Sequence, residues 1–490
     1  MTSATKAKFK PLDAYKNAQS SLRFLPFKFI KLDNERYILT NIAGEFIVLD
    51  KFDFNKIRDR SLEMDSDLYH KLKSKHFIYD DSSTVAIDLL ALKYRTKQSF
   101  LDGFTGLHMF VVTLRCDHSC PYCQVSRQNE DTEKFDMSEE DALKALLFTF
   151  KSPSPLIKIE FQGGESLLNF KLIQFIVLKA KEMNQSIGKQ IQFVIATNLS
   201  PVNDEILDFC DEHEILISTS LDGPEFLHNK NRPKAGNDSY QRAIAGINFV
   251  KSKLGPDKVS ALMTTSLESL KYPREIIDEY ISQGFNAIFL RSLSPYGFAI
   301  KTKSFDMYNT DAWLDFYKTS LAYIIEINKN GYFFVEQYTA LILQKMLTPF
   351  ATGFVDLQSP SGIGISAIVF NYDGDVYASD ESRMLAEMED KSFRLGNLKE
   401  NSYQEIITAD ILVDALQNTI LEGVPMCSDC AFLPYCGSDP IYHAATQGDM
   451  IGHKAKSGFC KKNMGVFKHI IKLLEDDLEA REVMMRWIRV

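Results

Sequence analysis

Cys116-Asp117-His118-Ser119-Cys120-Pro121-Tyr122-Cys123 places three thiols at C-x3-C-x2-C spacing, directly after the apolar run HMFVVTL from His108 to Leu114. The run reads as a strand and the cysteines as the loop that leaves it. Three thiolates fall one short of the closed four-ligand shell of structural zinc. They suit a [4Fe-4S] cluster in which one iron keeps no protein ligand. Such an iron can chelate a small molecule and pass it an electron. A zinc knuckle or three buried core cysteines are the plainer readings, and the motifs further along the chain decide against them.

From residue 106 to 300 apolar runs alternate with helical patterns, as parallel α/β folds require. The strand candidates after 108–114 are 156–162, 191–198, 215–222, 258–266 and 286–293, separated by helical stretches at 138–150, 170–183, 203–212, 239–253 and 273–283. Six βα units predict an open partial (β/α)6 barrel of TIM type rather than the closed eight-stranded one. In such barrels the chemistry sits at the C-terminal ends of the strands. There the second candidate ends in Gly163-Gly164-Glu165-Ser166, the third in Asn198, and the fourth carries Ser218, Ser220 and Asp222. Paired glycines let the backbone approach a ligand and expose its N–H groups. An acid beside them can hold an ammonium group. On its own, GGE is equally an ordinary turn, and Asp222-Gly223-Pro224 equally a turn and cap.

The C-terminal region carries a second thiol set, Cys427, Cys430, Cys436 and Cys460. Four thiols saturate either Zn²⁺ or a [4Fe-4S] cluster, and spacing alone does not choose. Upstream, Gly362 to Ala367 matches GxGxxA. A dinucleotide site would need a strand before it and a helix after it. Instead AIVF, the turn Asp373-Gly374 and DVYAS follow, which read as a hairpin, so the nucleotide reading is rejected. Arg383 and Glu387 read as a solvated ion pair on a helix. The stretch 464–489 is amphipathic near a 3.6 period and predicts a closing helix.

With the cysteine loop and GGE in place, the chain resembles the radical SAM superfamily. The resemblance implies S-adenosylmethionine bound to the open iron of the Cys116/Cys120/Cys123 cluster and cleaved to a 5′-deoxyadenosyl radical that abstracts hydrogen. Gly163, Gly164 and Glu165 match the GGEP motif that holds the methionyl amine, with Ser166 in place of proline. Asn198, Ser218, Ser220 and Asp222 would meet the ribose and carboxylate of the cofactor, and Arg242 on the next helix would pair with the carboxylate. The second thiol set resembles a SPASM extension, which usually holds two auxiliary clusters. All four ligands of one cluster are present. Pro440 and Ser379 stand where ligands of the other are found, so one auxiliary [4Fe-4S] cluster is expected. Asp380, just after Ser379, matches the aspartate that serves as general base in anaerobic sulfatase-maturing relatives; a place in the hairpin is the alternative.

Short strand-like runs and helical patterns in 22–83 suggest a winged-helix-like module. Such modules in peptide-modifying enzymes hold a leader peptide by adding it to a sheet edge, and a packing cap on the barrel is the alternative reading. The expected organisation is a flexible tail at 1–21, this module, a linker helix at 84–105, the barrel at 106–304, a helical bridge at 305–355 and a SPASM-like domain at 356–490. A length of 490 residues fits about three domains of ~150 residues. A net charge of −9 disfavours nucleic acid, and no apolar run reaches the ~20 residues of a membrane span. The first twenty residues lack the apolar core of a secretory signal. Clustered cysteines in such a chain read as metal ligands of a reducing cytoplasm, with lone Cys210 a buried hydrophobe.

Longer blocks are similar to the maturases of the His-Xaa-Ser peptide system. They include LPFKF (25–29), YRTKQSFL (94–101), VVTLRCDHSCPYCQVSR (111–127), IEFQGGESLLNF (159–170), FLRSLSPYGFA (289–299) and DGDVYASDESRML (373–385). The likeness implies a radical SAM oxidoreductase that cross-links or oxidises side chains of a ribosomally made precursor peptide with a leader. Its implied partners are a second radical SAM maturase and a reductant such as flavodoxin or ferredoxin. Formylglycine-type oxidation of a protein, and a zinc-stabilised peptide-binding scaffold without turnover, remain the alternatives.

Overall fold

The structure is a computed structural model that describes residues 22–80 and 85–488; the expected tail at 1–21 lies outside them. The chain divides into two compact units, the first ending at Lys97 and the second starting at Gln98.

In the first unit, strands Phe27–Lys31, Arg36–Asn41 and Phe46–Asp50 form an antiparallel sheet in chain order. Helices Lys51–Arg58 and Asp67–Ser74 follow, capped by the side chains of Asp50 and Ser66. Arg23–Phe24 pairs antiparallel with Ile78–Tyr79. The core is Leu39, Ile47, Phe54, Tyr69, Leu72 and Phe77. Phe27–Lys31 is an edge strand, and its Phe29 stands 53% exposed.

The second unit is built on one eight-stranded sheet, whose strands are labelled β1 (Leu107–Thr113), β2 (Leu156–Gly163), β3 (Gln190–Thr197), β4 (Leu216–Ser220), β5 (Val259–Leu262), β6 (Ala367–Phe370), β7 (Asp375–Tyr377) and β8 (Arg394–Asn397). Their spatial order is β5-β4-β3-β2-β1-β6-β7-β8. From β5 to β6 each neighbour is parallel, and the last two pairings are antiparallel. Helices Glu139–Thr149, Phe170–Ile187, Asp204–Glu212 and Ser239–Leu254 make the crossovers. A parallel sheet covered on both faces needs strands apolar on both sides. Val111, Val112, Ile157, Ile159, Phe161 and Ile195 are accordingly buried.

The sixth barrel strand expected at 286–293 does not join this sheet. Only Ala287–Ile288 is extended, and it pairs with Val335–Glu336 in a separate parallel ladder. A single bridge, Thr265 to Ser292, links that region to the segment after β5. The place beside β1 is filled by β6, the AIVF arm of the expected hairpin, with Phe370 packed edge-on against Phe110. The DG turn closes that hairpin, with Gly374 N–H on Asn371 O at 3.0 Å. Gly362 to Ala367 leads directly into β6 with no helix, as rejection of a nucleotide site requires.

Helices Thr310–Lys329 and Gln337–Leu347 cover the stretch expected as a bridge, and the expected closing helix is two helices, Gly458–Asp476 and Leu478–Met485. The break falls at Asp477, whose side chain caps the second by accepting from Ala480 N. No helix among the described residues is long and apolar enough to cross a membrane.

β1 and β2 converge where the thiol loop departs. A Cβ on Gly164 would lie 2.4 Å from Arg115 O and 2.5 Å from Leu114 O, both backbone atoms that cannot yield. Gly164→Ala is therefore expected to lose about 3 kcal/mol of stability. Gly103→Ala, where an added Cβ meets nothing within 4 Å, should change it by less than ~0.5 kcal/mol. Chemical denaturation of both variants checks this; equal midpoints would contradict it.

Candidate functional site

The thiol loop is held at both ends. At its start, Arg115 grips Asp136 in a bidentate pair, Nε to Oδ1 at 2.7 Å and Nη2 to Oδ2 at 2.8 Å, while Thr113 Oγ1 donates to the same carboxylate at 2.5 Å. At its end, Phe298 N–H donates to Cys123 O at 2.8 Å, and Gly297 packs so closely on the loop that a Cβ would sit 2.5 Å from Cys123 O.

Between those ends, Asp117 and His118 point away from solvent into a polar network. Asp117 accepts from Lys234 Nζ and from Asn198 Nδ2 at 2.8 Å, and contacts His118 Nδ1 at 2.8 Å. Burial opposes its charge, but the bonds from His118 and Lys234 hold its carboxyl well below the usual range. His118 Nε2 meets Ser239 Oγ at 3.1 Å, and Ser239 also meets His228 Nε2 at 3.1 Å. Tyr122, in the same loop, donates its hydroxyl to Asp222. Asp222 is fully buried; Arg232 Nη2 donates to its Oδ1 at 3.2 Å, Arg232 Nε lies 3.1 Å from Oδ2, and Thr264 N–H donates at 3.3 Å.

These contacts sort the residues expected at the site. Gly163 and Gly164 approach backbone, not open space: Gly164 N–H bonds to Thr113 O at 2.9 Å, and Glu165 N–H to Arg115 O at 2.8 Å. The donors expected to face a ligand thus tie β2 to the start of the thiol loop. Glu165 is 1% exposed and accepts from Thr197 Oγ1 at 2.6 Å, Asn198 N at 2.6 Å and Leu167 N at 3.0 Å. Burial nevertheless pushes it up to about 7. Asn198 bridges the end of β3 to the thiol loop. Ser218 and Ser220 alternate on β4 and share one half-buried face. Arg242 is not brought to this group; it is 48% exposed and pairs with Asp238 at 2.7 Å, one helical turn away. Asp222 serves the loop through Tyr122 and Arg232.

None of the eight cysteines is in a disulfide, and those of both sets are half-buried. Burial pushes Cys120 up to about 12 and Cys116 higher, and a bound cation would displace the protons of these two. His118 N–H points at Cys116 Sγ at 3.5 Å. Three unpaired thiols on one anchored loop fit a metal–sulfur cluster with three protein ligands. Cys116, Asp117 and His118 also bring ligand atoms within 4.8 Å of one another, but Asp117 and His118 are already engaged by Lys234, Asn198 and Ser239.

The second thiol set lies around the turn Leu433–Tyr435, with Cys460 in the first turn of helix Gly458–Asp476. Burial, with the other three thiols nearby, pushes Cys436 up to about 12. Phe432 N–H donates to Cys430 Sγ and Asn463 Nδ2 to Cys436 Sγ, both at 3.4 Å. Lys454, buried, lies near Cys427, Cys460 and Cys436. Four thiols, two of them accepting from N–H donors, beside a buried ammonium fit an anionic metal–thiolate centre. Ser379 caps helix Asp380–Ala386 in a capping box with Ser382, and Pro440 opens helix Pro440–Gln447, so neither position offers a thiol.

Asp380 lines a cavity of about 320 Å³ whose walls include Glu160 and Gln162 of β2, Tyr296, Trp313 and Lys462. Both hydrogen bonds to Asp380 come from Arg383, Nε at 3.0 Å and Nη2 at 2.9 Å, and both reach Oδ1. Arg383 is fully buried and its Nη1 reaches Val125 O, two residues past the thiol loop, at 3.5 Å. The expected surface pair with Glu387 is thus replaced by an internal one, because Arg383 faces the sheet and Asp380 is its nearest acid. Spacing exposed the thiols and GGE. It gave no sign of Arg232, Lys234, Ser239 or Lys454, whose partners are distant in sequence.

Residues 110–280 match the Radical SAM superfamily, so the thiol loop and β2 to β5 lie in a radical SAM domain. That domain is related to anaerobic sulfatase-maturating enzymes. The cysteine-type enzyme of Clostridium novyi is 20% identical over 372 residues, 73% of this chain and 95% of that enzyme. An uncharacterized protein of Methanocaldococcus jannaschii is 31% identical over 196 residues, 40% of this chain; the chain spans only 65% of that relative. Among solved structures, native anSMEcpe with bound AdoMet superposes at TM-score 0.64 with 15% identity, over 78% of this chain and 99% of that one. Streptococcus suis SuiB bound to precursor peptide SuiA superposes at TM-score 0.53 with 14% identity, over 89% of this chain and 98% of that one. At such identities the likeness is one of fold.

Asp222 and Arg232 form an ion pair beneath the thiol loop, so removing one partner strands the other. Arg232→Met is expected to cost about 3 kcal/mol and to speed alkylation of Cys120 by iodoacetamide in the metal-free protein, read by peptide mass mapping. Unchanged stability and labelling would show that the pair does not hold the loop.

Proposed function

We propose that this chain is a radical SAM enzyme that cross-links or oxidises side chains of a ribosomally synthesised precursor peptide of the His-Xaa-Ser type. The observation that carries the reading is one chain joining an anchored three-thiol loop at the end of β1 to a cavity walled by Asp380, through Arg383 and Val125. The fold shared with a structure containing a bound precursor peptide supports it, as do relatives named as sulfatase-maturating enzymes. When bound, a [4Fe-4S] cluster with S-adenosylmethionine supplies the 5′-deoxyadenosyl radical that abstracts hydrogen.

On this reading Cys116, Cys120 and Cys123 are the cluster's protein ligands. Asn198, Ser218 and Ser220 present polar groups to the cofactor. Glu165 keeps one carboxylate site beyond its three internal donors for the methionyl amine, since a carboxylate accepts about four hydrogen bonds. Asp380 takes the proton released when a bond forms after hydrogen loss. Arg383 occupies its Oδ1 and leaves Oδ2 for that proton. Cys427, Cys430, Cys436 and Cys460 would hold one auxiliary [4Fe-4S] cluster, which would supply the acceptor for the electron left on the peptide after hydrogen abstraction and proton loss to Asp380, and beside which Lys454 offsets negative charge. The edge strand Phe27–Lys31 accepts the leader as an added strand. A flavodoxin or ferredoxin supplies electrons, and a second radical SAM maturase shares the peptide.

Co-expression with a precursor peptide encoded beside the gene, followed by mass spectrometry, tests this. The full chain should give a peptide lighter by a hydrogen pair at one modified position. Cys120→Ala should lose both peptide product and cofactor cleavage. Asp380→Asn should keep cofactor cleavage and lose product about a hundredfold. A peptide left unmodified by the wild-type chain contradicts the proposal, and a carbonyl on a protein substrate would favour formylglycine-type oxidation instead.

A further inference from the structure

Helix Gly458–Asp476 turns one face to the core, and the buried positions on that face include Phe459, Asn463, Val466, Phe467 and Ile470. Their spacing is that of an apolar helix stripe, yet Asn463 stands among them with no exposed surface. A buried amide is costly unless its polar atoms are bonded, and asparagine is a poorer helix former than leucine. An apolar residue would fill the position at lower cost, so the amide needs another account.

Its two hydrogen bonds supply one. Tyr338 donates its hydroxyl to Asn463 Oδ1 at 2.9 Å, which turns the other end of the amide toward the second thiol set, and Nδ2 donates to Cys436 Sγ at 3.4 Å. Tyr338 is itself 4% exposed, its ring packed on Phe289 and Phe354 at centroid distances of 5.6 and 6.0 Å. The backbone of Cys436 is held as well, its carbonyl accepting from Lys345 Nζ at 3.3 Å. Amide and sulfur are thus fixed against each other from both sides. A neutral thiol is a weak acceptor. A metal-bound thiolate carries negative charge, and a donor to it makes a charge-assisted bond of roughly twice the strength. The N–H of Asn463 is placed for a charged sulfur.

We propose that Asn463 sets the reduction potential of the auxiliary cluster: by donating to Cys436 Sγ it stabilises the reduced state and makes the cluster a better electron acceptor. Asn463 acts through a ligand and not on the peptide, so it is a positioning residue. An added electron places more negative charge on the sulfurs, and hydrogen bonds to them raise the potential. The proposal rests on the auxiliary-cluster reading above. There the peptide loses a hydrogen atom, then a proton to Asp380, and passes one electron to the cluster; an acceptor of raised potential favours that transfer.

The test uses the full-length chain reconstituted anaerobically with iron and sulfide, poised at a series of potentials and read by electron paramagnetic resonance. S-adenosylmethionine changes the signal of a cluster with an open iron and leaves that of a closed one, so the second set is followed on its own. Asn463→Leu should favour the oxidised second cluster about tenfold, a fall of ~59 mV in its midpoint for one electron. The first cluster's midpoint should not move. Asn463→Leu also leaves the Tyr338 hydroxyl without its acceptor, so its thermal stability should fall. Tyr338→Phe/Asn463→Leu removes both polar partners and should regain stability while the midpoint stays low. A purely structural role would restore the midpoint together with the stability, and that result overturns the proposal. So does an unchanged midpoint in Asn463→Leu. If that variant assembles no second cluster, Asn463→Asp, which keeps the shape and lacks the N–H donors, replaces it, and an unchanged midpoint there overturns the proposal. A second thiol set filled by zinc sinks this proposal and the auxiliary-cluster reading together. Two clusters whose midpoints ignore Asn463 sink this proposal alone.

Discussion

Asp222 is a carboxylate with no access to water, and burying a charge is tolerable only when it is paired and hydrogen-bonded. That constraint organises the site. The acid draws the Tyr122 hydroxyl from the thiol loop, the Arg232 guanidinium from the segment after β4, and the Thr264 N–H from beyond β5. Three separate parts of the chain are thereby fixed to one another at the C-terminal ends of the strands. The network of Asp117, His118, Asn198 and Lys234 does the same from the other side of the loop. The loop that carries the three sulfurs is thus tied at Asp117, His118 and Tyr122 to partners on other elements.

The same logic connects the loop to the C-terminal region. Gly297 and Phe298 clamp the carbonyl of Cys123, and Arg383 spans from Val125 to Asp380 on the cavity wall. On the far side of the cavity, Tyr338 donates to Asn463 Oδ1 at 2.9 Å, and Asn463 in turn donates to Cys436 Sγ. Short chains of hydrogen bonds therefore run from one cavity to Cys436 and to Val125, two residues past Cys123. A ligand in the cavity would touch residues that orient the sulfurs on either side.

Much of this was legible in the residues themselves. Uninterrupted apolar runs at 108–114 and 156–162 announce strands buried on both faces, and β1 and β2 are found there. Thiol spacing marks both cysteine sets because ligand geometry constrains neighbours in sequence. What stayed hidden depends on partners far apart in the chain. The hairpin of β6 and β7 is a local feature, but its docking parallel to β1 is set by packing of Phe370 on Phe110, some two hundred and sixty residues away. The run at 286–293 has strand-like composition yet only two residues of strand, because its partner is Val335–Glu336 and not the main sheet. Gly163 and Gly164 suggest a cradle for a ligand and instead admit the backbone of β1. Arg383 looks like a surface residue in a polar helix, and its burial follows only from where Asp380 and Val125 come together.

On the proposed reading the Cys116, Cys120 and Cys123 loop holds an iron–sulfur cluster with one iron left open, and the second thiol set holds another. Iron, sulfide and zinc content after anaerobic reconstitution of the full chain decides between that reading and zinc. About eight irons per chain in a brown protein is the expected result, four for each cluster. A colourless protein that retains zinc in a four-coordinate thiolate site, or one that closes a disulfide within the loop, would contradict it.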